Sequence, residues 1–412
     1  MQNRQCGTCI ACCEGWLHVE KLGMRPGVPC MHCTANGCKI YSDRPEDPCR
    51  KFLCAWMEED SDLPENLKPS LSGVIVLTDR NWRDWKVLRA IPTGESIPPD
   101  SLEQLRLIAQ KLEKPFFLAV GFLRPHTPLI APQKYFDRFP LDKIQVTLKK
   151  VKDQQDTFLK VSYEKNQVFT LEMGTKMFDQ ITASYGSEEA GLKRWTQAYL
   201  ACVAAVDDNV GQVMEALNQS HLKENSVVVL ASDHGFHMGE KDYLYKNSLW
   251  EKSTRIPLIM RVPGVTKANT TIAKAVSLID VYPTLVDLCG LSWETQKNEK
   301  GHPMDGYSMR KLLENPTAKT WKGDRPALTV VYAGDRYKDM PDMQHYAIKT
   351  DRYRYILYNN GKEELYDHQN DPAEWNNLVF SENESSDLLK NLRQQMAQMV
   401  APVQLNGFNK KK

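Results

Sequence analysis

An unbroken apolar run, VVVLA at 227–231, leads into Asp233, His234 and Gly235, and no other feature constrains the fold as much. Such a run suits a strand buried on both faces, inside a sheet covered by helices. In open sheets of that kind, function collects in the crevice outside the carboxyl ends of the strands. Asp233 offers a hard oxygen donor there, His234 a nitrogen, and Gly235 a tight backbone turn. Lys246, thirteen residues after Asp233, is placed to hold an anionic oxygen as a point charge. His126, just after the apolar run FFLAVGF at 116–122, is expected at the same edge of the sheet.

Periodicity supplies the neighbours of this strand. Leu192, Trp195, Tyr199, Cys202, Val206, Val210, Val213 and Leu217 recur at helical steps and predict a helix over 190–218. Pro257–Val262 reads as a strand, and SLIDVYPTLVDLCGL at 277–291 as a helix closed by Gly290. Strand, helix, strand, helix implies a mainly parallel sheet flanked by helices. Earlier, 70–92 suggests two short strands and 99–112 a helix, while RPHTPLIAP can only be an extended loop. Residues 141–175 read as loop, 327–358 as a small antiparallel meander, and 385–399 as a final helix. The fold class is therefore α/β, preceded by a small cysteine-rich domain. Boundaries fall at 1–105, 113–325 and 326–412.

Cysteine usage defines that first domain. Nine of the eleven cysteines (Cys6, Cys9, Cys12, Cys13, Cys30, Cys33, Cys38, Cys49 and Cys54) lie in the first 54 residues. Two residues separate Cys6 from Cys9, Cys9 from Cys12, and Cys30 from Cys33. Short repeated spacings bring thiolates within reach of one metal, and nine thiols suffice for two four-ligand sites of zinc or iron–sulfur type. An odd count and the lack of a secretory apolar core near the start argue against a disulfide framework and place the chain, as written, in the cytoplasm. His18 and His32 are weaker ligand candidates. Cys202 and Cys289 fall in helical patterns and read as core. A net charge of +1 gives no field for nucleic acid, and no apolar run approaches the ~20 residues of a membrane span. Nothing in the sequence marks an oligomeric state.

Several separated motifs resemble the sulfatases of the alkaline phosphatase superfamily, nearest to the iduronate-2-sulfatase branch. They are PFFLAVGFLRPHTPLIAPQKYFD, AAVDDNVGQVMEAL, VVLASDHGFHMGEKDYLYKNSLWEKSTRIPLIM, SLIDVYPTLVDLCGL and ELYDHQNDPAEWNNL, spread over about 113–380. The resemblance implies that Asp233 and His234 ligate a divalent cation, calcium in most sulfatases. It further implies that Lys246 and His126 contact the sulfate, and that the substrate is a sulfate ester of a sugar. Arg124 stands where relatives resemble a lysine, and Asp207 and Asp208 fall on a helix whose counterpart is structural. Residues 1–105, with CGTCIACC, CMHCTANGCKIY and CRKFLCAW, resemble the YkgJ-type cysteine-cluster proteins, which implies chelation of zinc or iron.

A sulfatase also needs a first strand ending in paired aspartates, a Cys-x-Pro-x-Arg segment or its serine version, and a Lys-x-x-His pair. The segment's first residue supplies the formylglycine nucleophile. The nearest imitations, Cys33-Thr34-Ala35-Asn36-Gly37 and Ser96-Ile97-Pro98-Pro99-Asp100, lack the arginine, and Leu77-Thr78-Asp79 is followed by Arg80. The expectation is a chain with no sulfatase activity of its own and with apolar strand edges left open. The competing reading is a metal-binding cysteine module joined to a hydrolase remnant, including a fusion of two gene pieces.

Overall fold

A computed structural model describes the chain apart from residues 1–3, 5–8, 15–21, 25–27, 60, 83–84, 94–96, 112–116, 148, 152, 159–168, 297–298, 300, 332–339, 342–343, 360, 382–385 and 401–412. Cys6 and His18 lie outside the described residues. The strands are β1 (Cys33–Thr34), β2 (Gly37–Cys38), β3 (Val74–Trp82), β4 (Trp85–Pro92), β5 (Ala119–Val120), β6 (Val228–Ala231), β7 (Leu258–Arg261), β8 (Ala327–Val331), β9 (His345–Lys349), β10 (Tyr353–Leu357) and β11 (Glu363–Asp367). The α-helices are α1 (Pro69–Ser72), α2 (Pro99–Lys111), α3 (Gln133–Phe136), α4 (Phe169–Ser184), α5 (Glu188–Asn218), α6 (Glu251–Thr254), α7 (Val281–Leu288), α8 (Arg310–Glu314) and α9 (Ser386–Met399). Two compact units result: Met1–Ile144 with Gln197–Lys223, and Gln145–Thr196 with Glu224–Lys412.

In the first unit β3 and β4 form the expected hairpin, paired from Val74↔Pro92 to Trp82↔Trp85. Val74, Ile75, Val76 and Leu77 are all buried, so successive side chains are covered on both faces. They pack with Cys54, Trp56, Leu67 and the α2 residues Leu102 and Leu105. β5 joins β4 in parallel through Arg89↔Ala119 and Ala90↔Val120. Although FFLAVGF has the composition of a buried strand, Phe117 is 59% and Leu118 41% exposed. On α5, Cys202 is buried and its thiol donates to the Ile130 carbonyl at 3.6 Å. Asp208 pairs with Arg138 at 2.8 Å, a surface contact in keeping with a structural helix.

The second unit is organised by the meander expected at 327–358, which runs in the order β11-β10-β9-β8. Its alternation is complete. Tyr346, Ile348, Tyr355, Leu357 and Leu365 face Leu389, Leu392 and Met396 of α9, which sit at three- and four-residue steps. Ala347, Ile356, Tyr358 and Tyr366 point the other way, into a core with Tyr243, Leu249 and Trp250. Fully burying one such aliphatic side chain contributes about 1.5–3 kcal/mol, so the sheet firmly grips the loop 243–250. Glu364, fully buried on that side, accepts hydrogen bonds from Trp250 Nε1 (2.8 Å), the Phe158 N–H (2.7 Å), Tyr366 (2.9 Å) and Tyr358 (3.1 Å).

Three expectations need correction. β6 and β7 pair antiparallel, Val228↔Arg261 to Ala231↔Leu258, because the connection folds back as a loop with only two short helical turns, a 3-10 turn at Glu240–Asp242 and α6. Among the described residues the one parallel ladder is β4–β5. Part of the supposed loop 141–175 begins α4, where Phe178, Met177 and Ile181 pack on Leu192 and Leu244. Gly174 dilutes the helical pattern there, and it is required, since a Cβ would sit 2.1 Å from the Tyr243 ring. Finally, Cys289 is exposed rather than core, at the carboxyl cap of α7. Among the described residues no helix is long and apolar enough to cross a membrane.

Candidate active-site crevice

β6 ends at Ala231, and the next residues turn out of the sheet. The Gly235 N–H donates to the Ser253 carbonyl at 2.7 Å, and a Cβ at Gly235 would lie 2.1 Å from the Lys252 carbonyl oxygen, so only glycine fits. The Asp233 side chain is 85% exposed and that of His234 33%. His234 Nδ1 lies 2.8 Å from the Gly235 carbonyl, which fixes the ring, and Nε2 lies 3.6 Å from Asp233 Oδ2. A histidine fixed through one nitrogen by a backbone carbonyl, with the other beside a carboxylate, has a geometry that suits a metal ligand. Lys246 lines the same cavity of about 1200 Å³ as Asp233 and His234.

His126 and Arg124 belong to the first unit. His126 is exposed, with Nδ1 2.5 Å from the Thr127 carbonyl. Arg124 donates to the carbonyls of Ile130 (2.9 Å) and His126 (3.2 Å), and so holds its own loop.

The loop that carries Lys246 is braced from beneath by residues the sequence did not advertise. His237, buried between Tyr243 and Trp250, pairs Nε2 with the Ser248 hydroxyl at 3.1 Å, and Ser248 meets Ser253 at 2.7 Å. Lys241, 1% exposed and at φ 56°, donates to the Glu374 carbonyl, faces Asp153 at 3.4 Å, and sits over the Trp250 and Tyr366 rings. Arg354, 2% exposed, donates to the Leu249 carbonyl at 3.0 Å and to the Glu251 carboxylate, with Nε 2.9 Å from Glu374 Oε1. Glu374 Oε2 in turn accepts the Glu251 N–H at 2.9 Å. Burial opposes ionisation of Glu374, but the His368 hydrogen bond and the Arg354 charge outweigh it and hold its carboxyl below the usual range.

Glu251, His368 and Glu374 place three donor atoms within 4.8 Å of one another, a spacing that suits a metal. The Arg354 guanidinium already occupies that seat and cannot lose its charge. A divalent ion there would have to leave it buried and unpaired. The cluster is an ion network that clamps the crevice loop to the late sheet.

Burial pushes His237 and His345 down to about 4, so both are neutral in the fold. Unfolded histidines take up protons near 6.5, so the unfolded state binds more protons in the window between. Stability is therefore expected to fall as pH drops from about 6.5 to about 4, by about 1.4 kcal/mol per pH unit for each histidine. Urea denaturation at pH 5 and pH 7 measures this. His345→Gln, which can still accept from the Asn359 N–H, should flatten the slope.

In the cysteine-rich region, the Cys30 N–H donates to the Cys13 carbonyl (2.8 Å) and the Cys33 N–H to the Cys30 carbonyl (2.9 Å). The His32 N–H approaches Cys30 Sγ at 3.4 Å, and Cys33 pairs with Cys38 across β1 and β2. Burial, then repulsion from Cys30, Cys33, Cys38 and Cys49, pushes the Cys13 thiol up to about 12. Cys13, Cys33 and Cys49 pack against Leu22, Met24 and Cys30, with Cys38 opposite Cys33, but no three of these sulfurs stand within 4.8 Å of one another. Cys9, Cys12 and Cys54 pack instead with the β3 core.

The fold defines an α/β protein of alkaline phosphatase-like architecture, with Asp233 and His234 just past the end of β6. Residues 93–291 match the sulfatase family model, and 239–402 match the C-terminal model of N-sulphoglucosamine sulphohydrolase. Over this span the chain belongs to the sulfatase family. A sulfatase of Formosa agariphila is 34% identical over 308 residues, which are 72% of this chain and 53% of that protein. Arylsulfatase K of Mus musculus is 27% identical over 68% of this chain and 49% of its own length. N-acetylglucosamine-6-O-sulfatase of Bacteroides thetaiotaomicron is 33% identical over 49% of this chain and 35% of its own. A structure solved with its substrate D-glucosamine-2-N,6-O-disulfate aligns at TM-score 0.57 and 21% identity, covering 78% of this chain and 73% of the other. The chain thus spans about half the length of the curated relatives it matches.

Proposed function

We propose that the crevice is the cation-and-anion part of a sulfate-ester site. Asp233 and His234 take a divalent cation, calcium by family resemblance, and Lys246 receives the anionic group. When bound, the cation neutralises charge on a sulfate oxygen. A sulfated sugar is the substrate class, supported by the relative named N-acetylglucosamine-6-O-sulfatase. Nearer kinship to iduronate-2-sulfatase rests on the motifs around Lys246 and Glu374. The observation that carries the reading is His234, held through Nδ1 by the Gly235 carbonyl with Nε2 beside the Asp233 carboxylate. Calcium titration by calorimetry tests it. Two protein donors predict weak binding, in the range of about 10⁻⁴–10⁻³ M, that vanishes in Asp233→Ala. Binding unchanged by Asp233→Ala overturns the assignment.

We propose a second, independent metal site, favoured by the thiols clustered around Leu22 and Met24. Cys13, Cys30, Cys33, Cys38 and Cys49 supply four thiolates to zinc or an iron–sulfur cluster, in a reducing compartment. Binding must overcome the high pKa of Cys13, so affinity should rise with pH. Protein purified without oxygen is expected to carry metal that is lost in Cys30→Ser and kept in Cys202→Ser. A brown chromophore identifies iron. Metal-free protein that takes up neither ion removes the proposal.

A further inference from the structure

The crevice beside Asp233 and His234 carries more cations than carboxylates. Among the described residues Lys246, Arg255, Lys267, Lys274, Lys349 and Arg354 line it, against Asp233, Glu251 and Asp351. All of them belong to the second unit. The carboxylates deeper in the crevice are already engaged. Glu251 pairs with Arg354, and Asp351 holds Lys274 at 2.8 Å and the Ala275 N–H at 2.9 Å.

Lys349 ends β9 directly across from Arg354 on β10. Ala347 and Ile356, two residues away on the same strands, lie in the Trp250 core, so Lys349 and Arg354 share that face of the sheet. Like charges directly opposite each other across strands oppose folding. Arg354 is compensated by Glu251 and Glu374, whereas Lys349 is not. The Lys349 ammonium donates to the Thr350 carbonyl at 2.5 Å and forms no ion pair among the described residues. Burial, with the Arg354 charge behind it, outweighs Glu251 and Asp351 and holds its pKa below the usual lysine range. An ammonium has three donors, so two are left for a ligand. A half-buried cation set beside another cation, with donors to spare, suits an anion better than it suits the fold. Lys246 lines the same cavity and likewise has no ion pair among the described residues. At about 1200 Å³ the cavity has room for a sugar that carries charge at two places.

We propose that Lys349 is a second anion seat of the crevice, and that the sugar bound there carries two anionic groups, a sulfate ester at Lys246 and a further sulfate or carboxylate at Lys349. The ester end rests on the sulfate-ester reading of the crevice; the Lys349 seat does not.

Calorimetric titration of the full 412-residue chain, with calcium present, tests it. N-acetylglucosamine 6-sulfate offers one anionic group, D-glucosamine-2-N,6-O-disulfate two sulfates, and glucuronic acid 2-sulfate a sulfate and a carboxylate. At least one of the doubly charged sugars should bind at least about 10-fold more tightly than the singly charged one, and which of them does so identifies the second group. Lys349→Met, which keeps the apolar stem, should erase that preference, and Lys349→Arg should keep it. Because Lys349→Met also relieves the repulsion from Arg354, it should raise the thermal midpoint by about 1–4 °C. Equal affinity for all three sugars, a preference that survives Lys349→Met, or a lowered midpoint overturns the seat. So does the absence of binding by all three, whatever calcium does at Asp233. A preference that needs Lys349 but is indifferent to Lys246→Met and Asp233→Ala keeps the seat and rejects the sulfate-ester reading.

Discussion

The purified chain, supplied with calcium, is expected to release no nitrocatechol from 4-nitrocatechol sulfate above the buffer rate. Sulfate-ester cleavage of the sulfatase kind begins with attack by a formylglycine hydrate, and the 412 residues contain no Cys-x-Pro-x-Arg or Ser-x-Pro-x-Arg segment to form one. Where an attacking residue has been deleted from a hydrolase, the loss in kcat is about 10⁶-fold. A cation on Asp233 and His234 with a lysine nearby can polarise a bound ester, but polarisation alone does not replace the attacking group. Turnover that disappears in Asp233→Ala, or an aldehyde-bearing side chain found by mass spectrometry, would end this reading.

Arg354→Ala is expected to cost about 3–5 kcal/mol of folding stability, read as a lowered urea midpoint. The guanidinium is buried among Glu251, Glu374 and the Leu249 carbonyl, and its removal leaves a fully buried carboxylate without its main cation. Arg354→Lys should recover little, because an ammonium cannot donate to both the Leu249 carbonyl and the Glu251 carboxylate while facing Glu374 as a planar fork does. The pH dependence has a definite sign. Glu374 titrates below its ordinary value in the fold, so its contribution is full above the unfolded pKa and is lost as pH falls through the folded one. In Arg354→Ala that acid-side loss should move to higher pH. A stability change under about 1 kcal/mol would mean the network is not buried as described.

These two results bear on different kinds of information. The expected burial of VVVLASDHG on both faces fails, since β6 is half-buried and Ala231 exposed. The stretch still marks a strand with ligand-type residues at its tip, because extended backbone and turning are local properties of successive side chains. The same holds for α5, α9 and the β8–β11 meander, whose three- and four-residue or alternating periods are written along the chain. That these 412 residues hold no Cys-x-Pro-x-Arg or Ser-x-Pro-x-Arg segment is likewise read from the sequence alone. Tertiary structure alone decided which residues hold the crevice in place. Arg354 meets Glu251 across 103 positions and Lys241 meets Glu374 across 133, and no short-range pattern encodes a contact at that range. The division of the cysteines between a small cluster around Leu22 and Met24 and the β3 core was equally hidden, since spacing brings sulfurs near one another but folding selects what each packs against. The antiparallel return of β7 depended on the path of a loop, which periodicity does not determine.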